Sequence, residues 1–463
     1  MRRREIRDPV HGFIHRRDAE EKIIDTPIFQ RLRRIKQLAM ANLVYPGATH
    51  TRFDHSIGVM HVAGLMGEIL LDDPDEIEIV RLAALLHDIG HGPFSHVSEN
   101  LLEIFAQQGD FGKGGREKIH ELITAKIINS NPEIVGILGE DRARQIVDIL
   151  KGRADPLLTS IVSGPVDADK QDYLLRDSLF CGVKYGIFDM ERLHNTMKSY
   201  EDRGERSLGI IGPDGIHALE QYILAKYYIT RQVYRHKVRL ITDGMITRAL
   251  ELGITEDNLG ILKDLYSYSD THEYIENYVL YDDEKIFAEV MRSNETIAKR
   301  IFSRLLNRKL FKRVFQAEVK SFPEHMRDTL SNVSKPESRQ TRIYLEERIA
   351  ETLGVENEPV VVFSFAIKSI RQETERSEGP ILVLSDGTAR QFADASTLFR
   401  SIDGAMQDMF LEVYAPVTYA DEKDKTEKRG EFADKIKGVI LDYFREEVND
   451  ESQPKGHSIG DNS

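Results

Sequence analysis

Apolar residues recur at helical spacing through the first two-thirds of this 463-residue chain, and this pattern constrains the fold more than any other feature. Each such helix presents one apolar face, which has to be buried against another element. The pattern predicts helices over residues 26–43, 55–71, 77–89, 120–129, 142–150 and 168–180, and one or two long helices over 217–252. Gly90 is expected to end the third helix, and the glycine-rich stretch 109–115 is expected to form a connector or a lid.

The character of the sequence changes after about residue 334. Short segments rich in Val, Ile and Phe and bounded by turn residues predict strands at 359–367, 381–384 and 409–414. A helix is predicted over 432–447. We therefore expect a mainly α fold, with a helical domain over residues 1–335, a smaller α+β domain over 336–448 and a disordered polar tail over 449–463.

Composition limits the cellular setting and the partners. With 41% hydrophobic and 30% charged residues the chain has a soluble, globular composition, and no apolar run reaches the length of a membrane span. The single cysteine, Cys181, excludes an intrachain disulfide, which fits a reducing compartment such as the cytoplasm. The net charge of -14 disfavours broad nucleic-acid binding. Neither a membrane nor a stable nucleic-acid partner is expected.

Four residues have the chemistry of a metal site: His55, the adjacent His87 and Asp88, and Asp169. Two imidazoles and two carboxylates suit a first-row divalent metal such as Mn, Fe, Zn, Co or Ni. A single His–acid pair is weak evidence, because such pairs also occur at 120–121 and 272–273, and a lone histidine is more often part of a core.

The segment 87–96 adds a stronger signal. It holds three histidines, His87, His91 and His96, with two glycines and a proline between them, and it forms no amphipathic pattern. The glycines let the backbone turn sharply and approach a ligand. Core packing does not readily explain this composition, so the segment indicates a functional site.

These motifs resemble a known family. The order H…HD…D resembles the signature of the HD superfamily, and FQRLRRIKQL (29–38), YPGATHTRFDHSIG (45–58), HDIGHGPFSH (87–96) and DADKQDYLLRD (167–177) resemble the deoxynucleoside triphosphate triphosphohydrolases. The resemblance extends from about residue 6 to 237. It implies an HD-type helical catalytic domain that hydrolyses dNTPs to deoxynucleoside and inorganic triphosphate.

The resemblance also implies residue roles. His55, His87, Asp88 and Asp169 would bind the metal, whose water would attack the α-phosphorus, and Mg²⁺ would accompany the substrate phosphates. The implied catalytic residues are His91, His96 and His120, with His96 as general acid. Glu99 would orient a neighbouring histidine, although the family usually has Asp at this place.

For the substrate, the resemblance implies three cations at the phosphates and three polar residues around the sugar. The implied substrate contacts are Arg52, Lys170 and Lys237, then Tyr173, Asp177 and Gln37, with Leu38 beside them and Tyr234 near the base. The alternatives are that Lys170 is an ordinary surface lysine and that Tyr173 and Tyr234 only pack between helices. Arg235 and Thr230 depart from the family pattern next to Tyr234, so base preference stays open.

A regulatory site is also implied. Asp25, Gln30 and Arg33 match positions that read an activating guanine nucleotide between subunits of tetrameric members. This predicts a homo-oligomer, dimer or tetramer, activated by GTP or a dNTP; a solvated basic face is the alternative. Two other functions remain open: an HD-type phosphodiesterase or 5′-nucleotidase, and a nucleotide sensor without turnover.

Overall fold

The computed structural model of the chain describes residues 5–106, 118–202, 204–367, 381–385, 388–401 and 408–451. The chain divides into two compact units: the first comprises residues 1–308 and 368–407, and the second comprises 309–367 and 408–463. The glycine-rich stretch at 109–115 lies outside the described residues, as does the predicted tail from residue 452 onward.

The first unit is mainly helical. Its helices are α1 (Asp18–Ile24), α2 (Pro27–Gln30), α3 (Arg52–Leu70), α4 (Pro74–Leu86), α5 (His96–Phe105), α6 (Ile119–Ser130), α7 (Pro132–Leu138), α8 (Glu140–Leu150), α9 (Pro156–Ser163), α10 (Ala168–Cys181), α11 (Met190–His194), α12 (Asp214–Ile229), α13 (Lys237–Thr255), α14 (Gly260–Tyr266), α15 (His272–Tyr278), α16 (Asp283–Arg292) and α17 (Ile297–Leu306). The second unit contributes α18 (Glu324–Ser331), α19 (Arg339–Leu353) and α22 (Glu422–Glu451), and the short helices α20 (Phe392–Ala395) and α21 (Thr397–Ser401) return to the first unit. Within the described ranges, none of these helices has the length and apolar character that crossing a bilayer requires.

Three small sheets complete the two units. In the first unit, β1 (Glu5–Asp8) and β2 (Gly12–His15) form an antiparallel hairpin. A second sheet has the order β3-β4-β7-β8, from β3 (Met197–Asp202), β4 (Glu205–Ile211), β7 (Leu382–Ser385) and β8 (Thr388–Gln391). In the second unit, the antiparallel order is β5-β9-β6, from β5 (Lys312–Glu318), β6 (Val361–Ile367) and β9 (Asp408–Ala415). The mainly α fold with a smaller α+β part is therefore confirmed.

Helix α3 is the centre of the first unit, where it packs against α4 and α10. Most of its residues are buried, and its start is fixed by a capping box between Thr51 and Asp54. Helix α4 is capped by Asp73, whose side chain accepts a hydrogen bond from the Asp75 amide, and α10 is capped by Asp167, whose side chain accepts one from the Lys170 amide. These caps set where the three helices start, and so where their polar side chains meet.

The predicted continuous helix over 26–43 is wrong. Thr26 does cap α2, but 3₁₀ turns follow at 31–34 and 41–43, and the chain is extended at Ile35. The amide of Gln37 donates to the carbonyl of His50 (3.1 Å), and the amide of Arg52 donates to that of Ile35 (2.9 Å). These long-range hydrogen bonds replace helical ones and bring residues 35–37 to the start of α3.

Other predicted elements are present with shifted ends. The stretch 217–252 forms two helices, α12 and α13, separated by a π turn at 230–234, and the last helix begins at Glu422 instead of 432. The first segment of the first unit ends at 308, before the predicted boundary at 335, because β5 pairs with β9 of the second unit. Residues of the 368–407 segment belong to the first unit because β7 pairs in parallel with β4.

Gly90 does not end a helix, since α4 stops at Leu86. Its role is close packing against α6: a Cβ placed on Gly90 would lie 2.4 Å from the Thr124 amide nitrogen and 2.5 Å from the His120 carbonyl oxygen. The Gly90 amide also donates to Thr124 Oγ1 at 3.0 Å. The absence of a side chain at residue 90 thus sets how closely the segment after α4 approaches α6.

We expect Gly90→Ala to lower the free energy of unfolding by about 1–3 kcal/mol, because the added methyl group would overlap backbone atoms. Urea denaturation followed by circular dichroism measures this change. Gly136→Ala is the matched control, because Gly136 lies in α7 and a Cβ placed on it would meet nothing within 4 Å; it should leave stability equal or up to about 1 kcal/mol higher. Equal unfolding curves for the two variants would contradict the packing role.

Candidate metal centre

Four polar side chains meet where α3, α4 and α10 converge. His55 lies in α3, His87 and Asp88 directly follow α4, and Asp169 lies in the first turn of α10. His55 Nε2 is 3.0 Å from Asp169 Oδ1 and 3.8 Å from Asp88 Oδ2, and His87 Nε2 is 3.3 Å from Asp88 Oδ1 and 3.8 Å from Asp169 Oδ1. Ligand atoms of His55, His87 and Asp88 all lie within 4.8 Å of one another. This group could hold a metal ion.

Both imidazoles are oriented for this purpose. His55 Nδ1 lies 2.8 Å from Asp172 Oδ2, and His87 Nδ1 lies 2.7 Å from the carbonyl oxygen of Ala84. Because an acceptor occupies each Nδ1, each Nε2 is left to face the carboxylates, which is the arrangement that a metal-binding histidine needs. The Asp169 side chain is 32% exposed, so the centre is open on one side.

The charges at the centre are mutually dependent. Burial lowers the pKa of His55, but hydrogen bonds to Asp169 and Asp172 outweigh it and raise the pKa to about 10. Burial raises the pKa of Asp169, but the hydrogen bond and charge of His55 outweigh it and lower the pKa to about 2. The carboxylates around His55 thus favour positive charge at this point, and a divalent metal would supply such a charge.

A second histidine group adjoins Asp88. His91 Nε2 is 3.2 Å from Asp88 Oδ1, and the His91 ring stacks on that of His120 with centroids 4.0 Å apart. His120 Nδ1 makes a short hydrogen bond with Glu99. Burial raises the pKa of Glu99, but its interactions with His120 and His96 outweigh burial and hold the pKa well below its ordinary value. Glu99 is thus a carboxylate that holds His120.

His96 occupies the open side of this group. Its side chain is 59% exposed at the start of α5, and its Nδ1 lies 3.7 Å from Glu99 Oε2. Its ring centroid is 5.2 Å from that of His91. His96 is therefore placed by the same carboxylate as His120, but more loosely and facing solvent.

The turn that leads into α5 has an unusual backbone. Phe94 and Ser95 have φ values of 60° and 54°, a region that residues other than glycine seldom adopt. The turn is held by Asp283, which accepts the Phe94 amide at 2.6 Å, and by the Ser95 hydroxyl, which donates to the Lys36 carbonyl at 2.8 Å. Such strained turns are typical of functional sites, and this one presents His96.

The three basic residues predicted to bind the substrate phosphates differ in burial and in their contacts. Arg52 is buried, forms a short ion pair with Asp88 and donates from Nε to Ser95 Oγ at 2.9 Å. Lys170 is also buried, with its Nζ 2.6 Å from Asp167 Oδ2 and 3.1 Å from the Gly164 carbonyl oxygen. Lys237 is exposed at the start of α13. The geometry thus joins Arg52 directly to the metal centre.

The predicted sugar-side residues form a group around Asp177. Tyr234 Oη donates to Asp177 Oδ2 at 2.5 Å, and His50 Nε2 is 2.7 Å from Asp177 Oδ1. The rings of Tyr173 and Tyr234 lie edge to face with centroids 6.2 Å apart. Gln37 and Leu38 are both buried, and the Gln37 amide donates to the His50 carbonyl.

Two of the three predicted regulatory residues also contact each other. Arg33 Nε donates to Gln30 Oε1 at 2.8 Å, and the side-chain Nε2 of Gln30 donates to the Ile24 carbonyl oxygen at 2.7 Å. The Arg33 guanidinium lies 3.4 Å from the centroid of the Phe53 ring. Asp25 is exposed at the end of α1.

Comparison with known proteins identifies the family. The profile described as "HD domain" matches residues 52–159, and the profile described as "HD associated region" matches residues 188–430. The chain belongs to the HD phosphohydrolase superfamily. The HD match contains His55, His87 and Asp88, so the group that could hold a metal lies in the HD domain.

Relatives and solved structures agree with this assignment. The chain is 40% identical over 265 residues to an uncharacterized protein of Methanocaldococcus jannaschii, covering 57% of this chain and 53% of that protein. It is 32% identical over 348 residues to the human deoxynucleoside triphosphate triphosphohydrolase SAMHD1, covering 68% of this chain and 55% of that enzyme. The chain thus spans about half the length of these two relatives. A phosphohydrolase structure from Bacteroides thetaiotaomicron matches with a TM-score of 0.70 at 26% identity, covering 89% of this chain and 99% of that one.

Some residues of the HD site were not anticipated. Asp172 is hydrogen-bonded to Nδ1 of His55, the ring nitrogen away from the other proposed ligands. His50 is hydrogen-bonded to Asp177, and Asp167 to Lys170. Asp167 and Asp172 lie in the motif DADKQDYLLRD, and His50 lies in the motif YPGATHTRFDHSIG. The partners of Asp172 and His50 are distant in the sequence, so spacing along the chain gives no indication of these two pairings, whereas Asp167 and Lys170 lie three residues apart at the start of α10.

We expect His87→Ala and Asp169→Ala to lose bound divalent metal and at least about 100-fold in turnover, because the cation supplies several kcal/mol of transition-state stabilisation. Metal content by inductively coupled plasma mass spectrometry and helicity by circular dichroism measure the two effects. The matched control is His272→Ala, because the side chain of His272 in α15 is 56% exposed. Full metal content and turnover in either ligand variant would refute its assignment.

Proposed function

We propose that this HD protein hydrolyses deoxynucleoside triphosphates to deoxynucleoside and inorganic triphosphate at a divalent metal held by His55, His87, Asp88 and Asp169. The observation that carries this proposal is that the four side chains converge beside Arg52 and the His91–His120 pair. The activity in the name of the human relative supports the substrate class. A bound divalent cation, whether Mn, Fe, Zn, Co or Ni, supplies Lewis-acid activation of the phosphate and of water.

The phosphates would be held by Arg52. Its guanidinium is buried, one side binds Asp88 and Ser95, and in the described part of the chain its Nη2 atom has no hydrogen-bond partner. A buried guanidinium nitrogen without an acceptor is costly, and a phosphate oxygen would provide one. Lys170 and Lys237 would add positive charge, Lys170 after exchange of its present contact with Asp167.

The leaving 5′-oxygen would be protonated by His96. Its exposed imidazole can reach a substrate that His91 contacts from the buried side, because the two rings are 5.2 Å apart. With a small movement, Glu99 could accept a hydrogen bond from Nδ1 of the doubly protonated His96 imidazolium, whose second proton, on Nε2, would be the one given to the leaving oxygen. His120, which Glu99 holds more tightly, would keep that carboxylate in place.

The sugar would lie between Tyr173 and Asp177. Both Asp177 oxygens accept hydrogen bonds, from His50 and from Tyr234, but each carboxylate oxygen has a second lone pair that can accept the 3′-hydroxyl. Gln37 supports this role, because its Oε1 atom is buried and without a partner in the described part of the chain. Leu38 would line the same side. The Tyr234 hydroxyl binds Asp177, so we propose that Tyr234 shapes the sugar end of the site next to the base.

Regulation and assembly belong to the same proposal. We propose that Asp25, Gln30 and Arg33 read an activating nucleotide, GTP or a dNTP, in a dimer or tetramer, because Gln30 and Arg33 already form one hydrogen-bonded surface group. A cytoplasmic location is proposed on the basis of Cys181, which is a buried free thiol.

Product analysis tests the reaction. The protein is incubated with each dNTP, with ATP and with GTP, singly and mixed, and separately with phosphodiesters and nucleoside monophosphates, in Mg²⁺ and in Mn²⁺. Deoxynucleoside and triphosphate are the expected products, and turnover confined to mixtures would indicate nucleotide activation. Monophosphate and pyrophosphate, or turnover of phosphodiesters or monophosphates alone, would replace the proposal with a phosphodiesterase or 5′-nucleotidase. Binding without turnover would indicate a sensor.

We expect Tyr173→Ala to reduce the preference for deoxyribose over ribose by about tenfold or more, because the ring no longer excludes a 2′-hydroxyl. The measurement is the ratio of kcat/KM for each dNTP and its ribonucleotide. Tyr228→Ala is the matched control, because Tyr228 is an exposed tyrosine of α12. An unchanged ratio in the Tyr173 variant would exclude the sugar-gate role.

A further inference from the structure

We propose that Asp172 is a positioning residue of the metal centre and that it ties this centre to the β1–β2 hairpin at the start of the chain. The inference rests on the proposed metal centre and concerns residues that bind neither metal nor substrate. It assigns a role to the hairpin motif DPVHG (8–12), which the proposed reaction does not use.

Asp172 is completely buried in α10 and uses both carboxylate oxygens. Oδ2 lies 2.8 Å from His55 Nδ1 and 2.8 Å from Arg176 Nε, and Oδ1 lies 2.9 Å from Arg176 Nη2 and 2.7 Å from His11 Nε2. A metal-binding imidazole must carry its proton on the nitrogen away from the metal, and a carboxylate there fixes both the proton and the ring. Asp172 meets this requirement for His55.

The β1–β2 hairpin contacts both Asp172 and its partner Arg176. Asp8 Oδ2 is 2.9 Å from Arg176 Nη1, while Asp8 Oδ1 accepts the amides of Val10 (2.8 Å) and His11 (2.9 Å). Asp8 therefore shapes the turn that delivers the His11 imidazole to Asp172, and it also binds the arginine that neutralises Asp172. The hairpin reaches the metal ligand His55 through only one intermediate residue.

The backbone of α3 is adapted to this network. A Cβ on Gly58 would lie 2.0 Å from Asp172 Oδ1 and 2.3 Å from Arg176 Nη2, so only glycine leaves room for the ion pair next to α3. Gly58 follows His55 by one helical turn. The helix that carries the ligand is therefore fitted to the pair that orients the ligand.

A second buried ion pair provides the matched control. Glu20 is also fully buried, with its carboxylate 2.5 Å from Arg81 Nε and 2.9 Å from Arg81 Nη2. Gly64 of α3 makes room for Arg81 as Gly58 does for Arg176. The hydrogen bonds described for Glu20 are to Arg81 and the Arg17 amide, and they do not include a metal ligand. The loss of a buried carboxylate that contacts a metal ligand, Asp172, can thus be compared with the loss of one that does not, Glu20.

The test uses full-length protein stripped of metal and titrated with Co²⁺ against a chromophoric chelator. Asp172→Asn should weaken Co²⁺ binding by about 10- to 100-fold and alter the visible d–d spectrum of bound Co²⁺. Glu20→Gln should lower the unfolding midpoint yet leave the Co²⁺ affinity and spectrum at wild-type values. His11→Gln, which keeps the Asp172–Arg176 pair, should alter the spectrum in the same direction as Asp172→Asn by a smaller amount.

Wild-type affinity and spectrum in Asp172→Asn would overturn the positioning role, and an unchanged spectrum in His11→Gln would overturn the link to the hairpin. If Asp172→Asn does not fold, the Co²⁺ spectrum of His11→Gln decides whether the proposal stands, and an unchanged spectrum overturns it. Failure of wild-type protein to bind Co²⁺ would overturn this inference together with the metal centre. Wild-type binding with the expected variant effects but no dNTP turnover would overturn the proposed reaction and leave the inference standing.

Discussion

The structure of the first unit depends on carboxylates buried among helices and on the cations that face them. Asp88, Asp169 and Asp172 converge on His55 from two directions, and Asp88 also binds Arg52. An isolated buried carboxylate is strongly unfavourable, and removing one partner of a buried ion pair leaves an uncompensated charge. The helices that carry these residues, α3, α4 and α10, therefore have to pack so that each carboxylate keeps the groups that face it.

The candidate site contains three groups of residues. The metal ligands lie where the three helices meet, and His91, His120 and Glu99 extend the site toward the exposed His96. Tyr173, Asp177 and Tyr234 form the other group. In the proposed function these groups would hold a cation, bind phosphate and contact the sugar, and the phosphate residue Arg52 would stay coupled to the metal ligand Asp88 through their ion pair.

Much of the fold and of the site could be predicted from the sequence. Helical periodicity located α3, α4, α10 and the α12–α13 pair, and the unusual segment 87–96 and the H…HD…D order pointed to the residues that meet at the metal centre. The helix predictions depend on local patterns, whereas the set of metal ligands was predicted from the resemblance to the HD superfamily.

The features that were missed depend on contacts between distant residues. The segment 26–43 has apolar residues at helical spacing, yet hydrogen bonds to residues 50–52 keep it extended at Ile35. The two-unit division could not be read from the sequence because it depends on the pairing of β5 with β9 and of β7 with β4. Asp172 resembles any other acidic residue of a helix until its contacts with His55 and His11 are known.

We propose that one divalent cation is held by all four ligands together. Crystals grown with Mn²⁺ and measured above and below the manganese absorption edge test this directly by anomalous diffraction. We expect one strong anomalous peak within bonding distance of His55 Nε2, His87 Nε2 and carboxylate oxygens of Asp88 and Asp169. A peak elsewhere, or one that leaves Asp169 outside the coordination sphere, would contradict the claim.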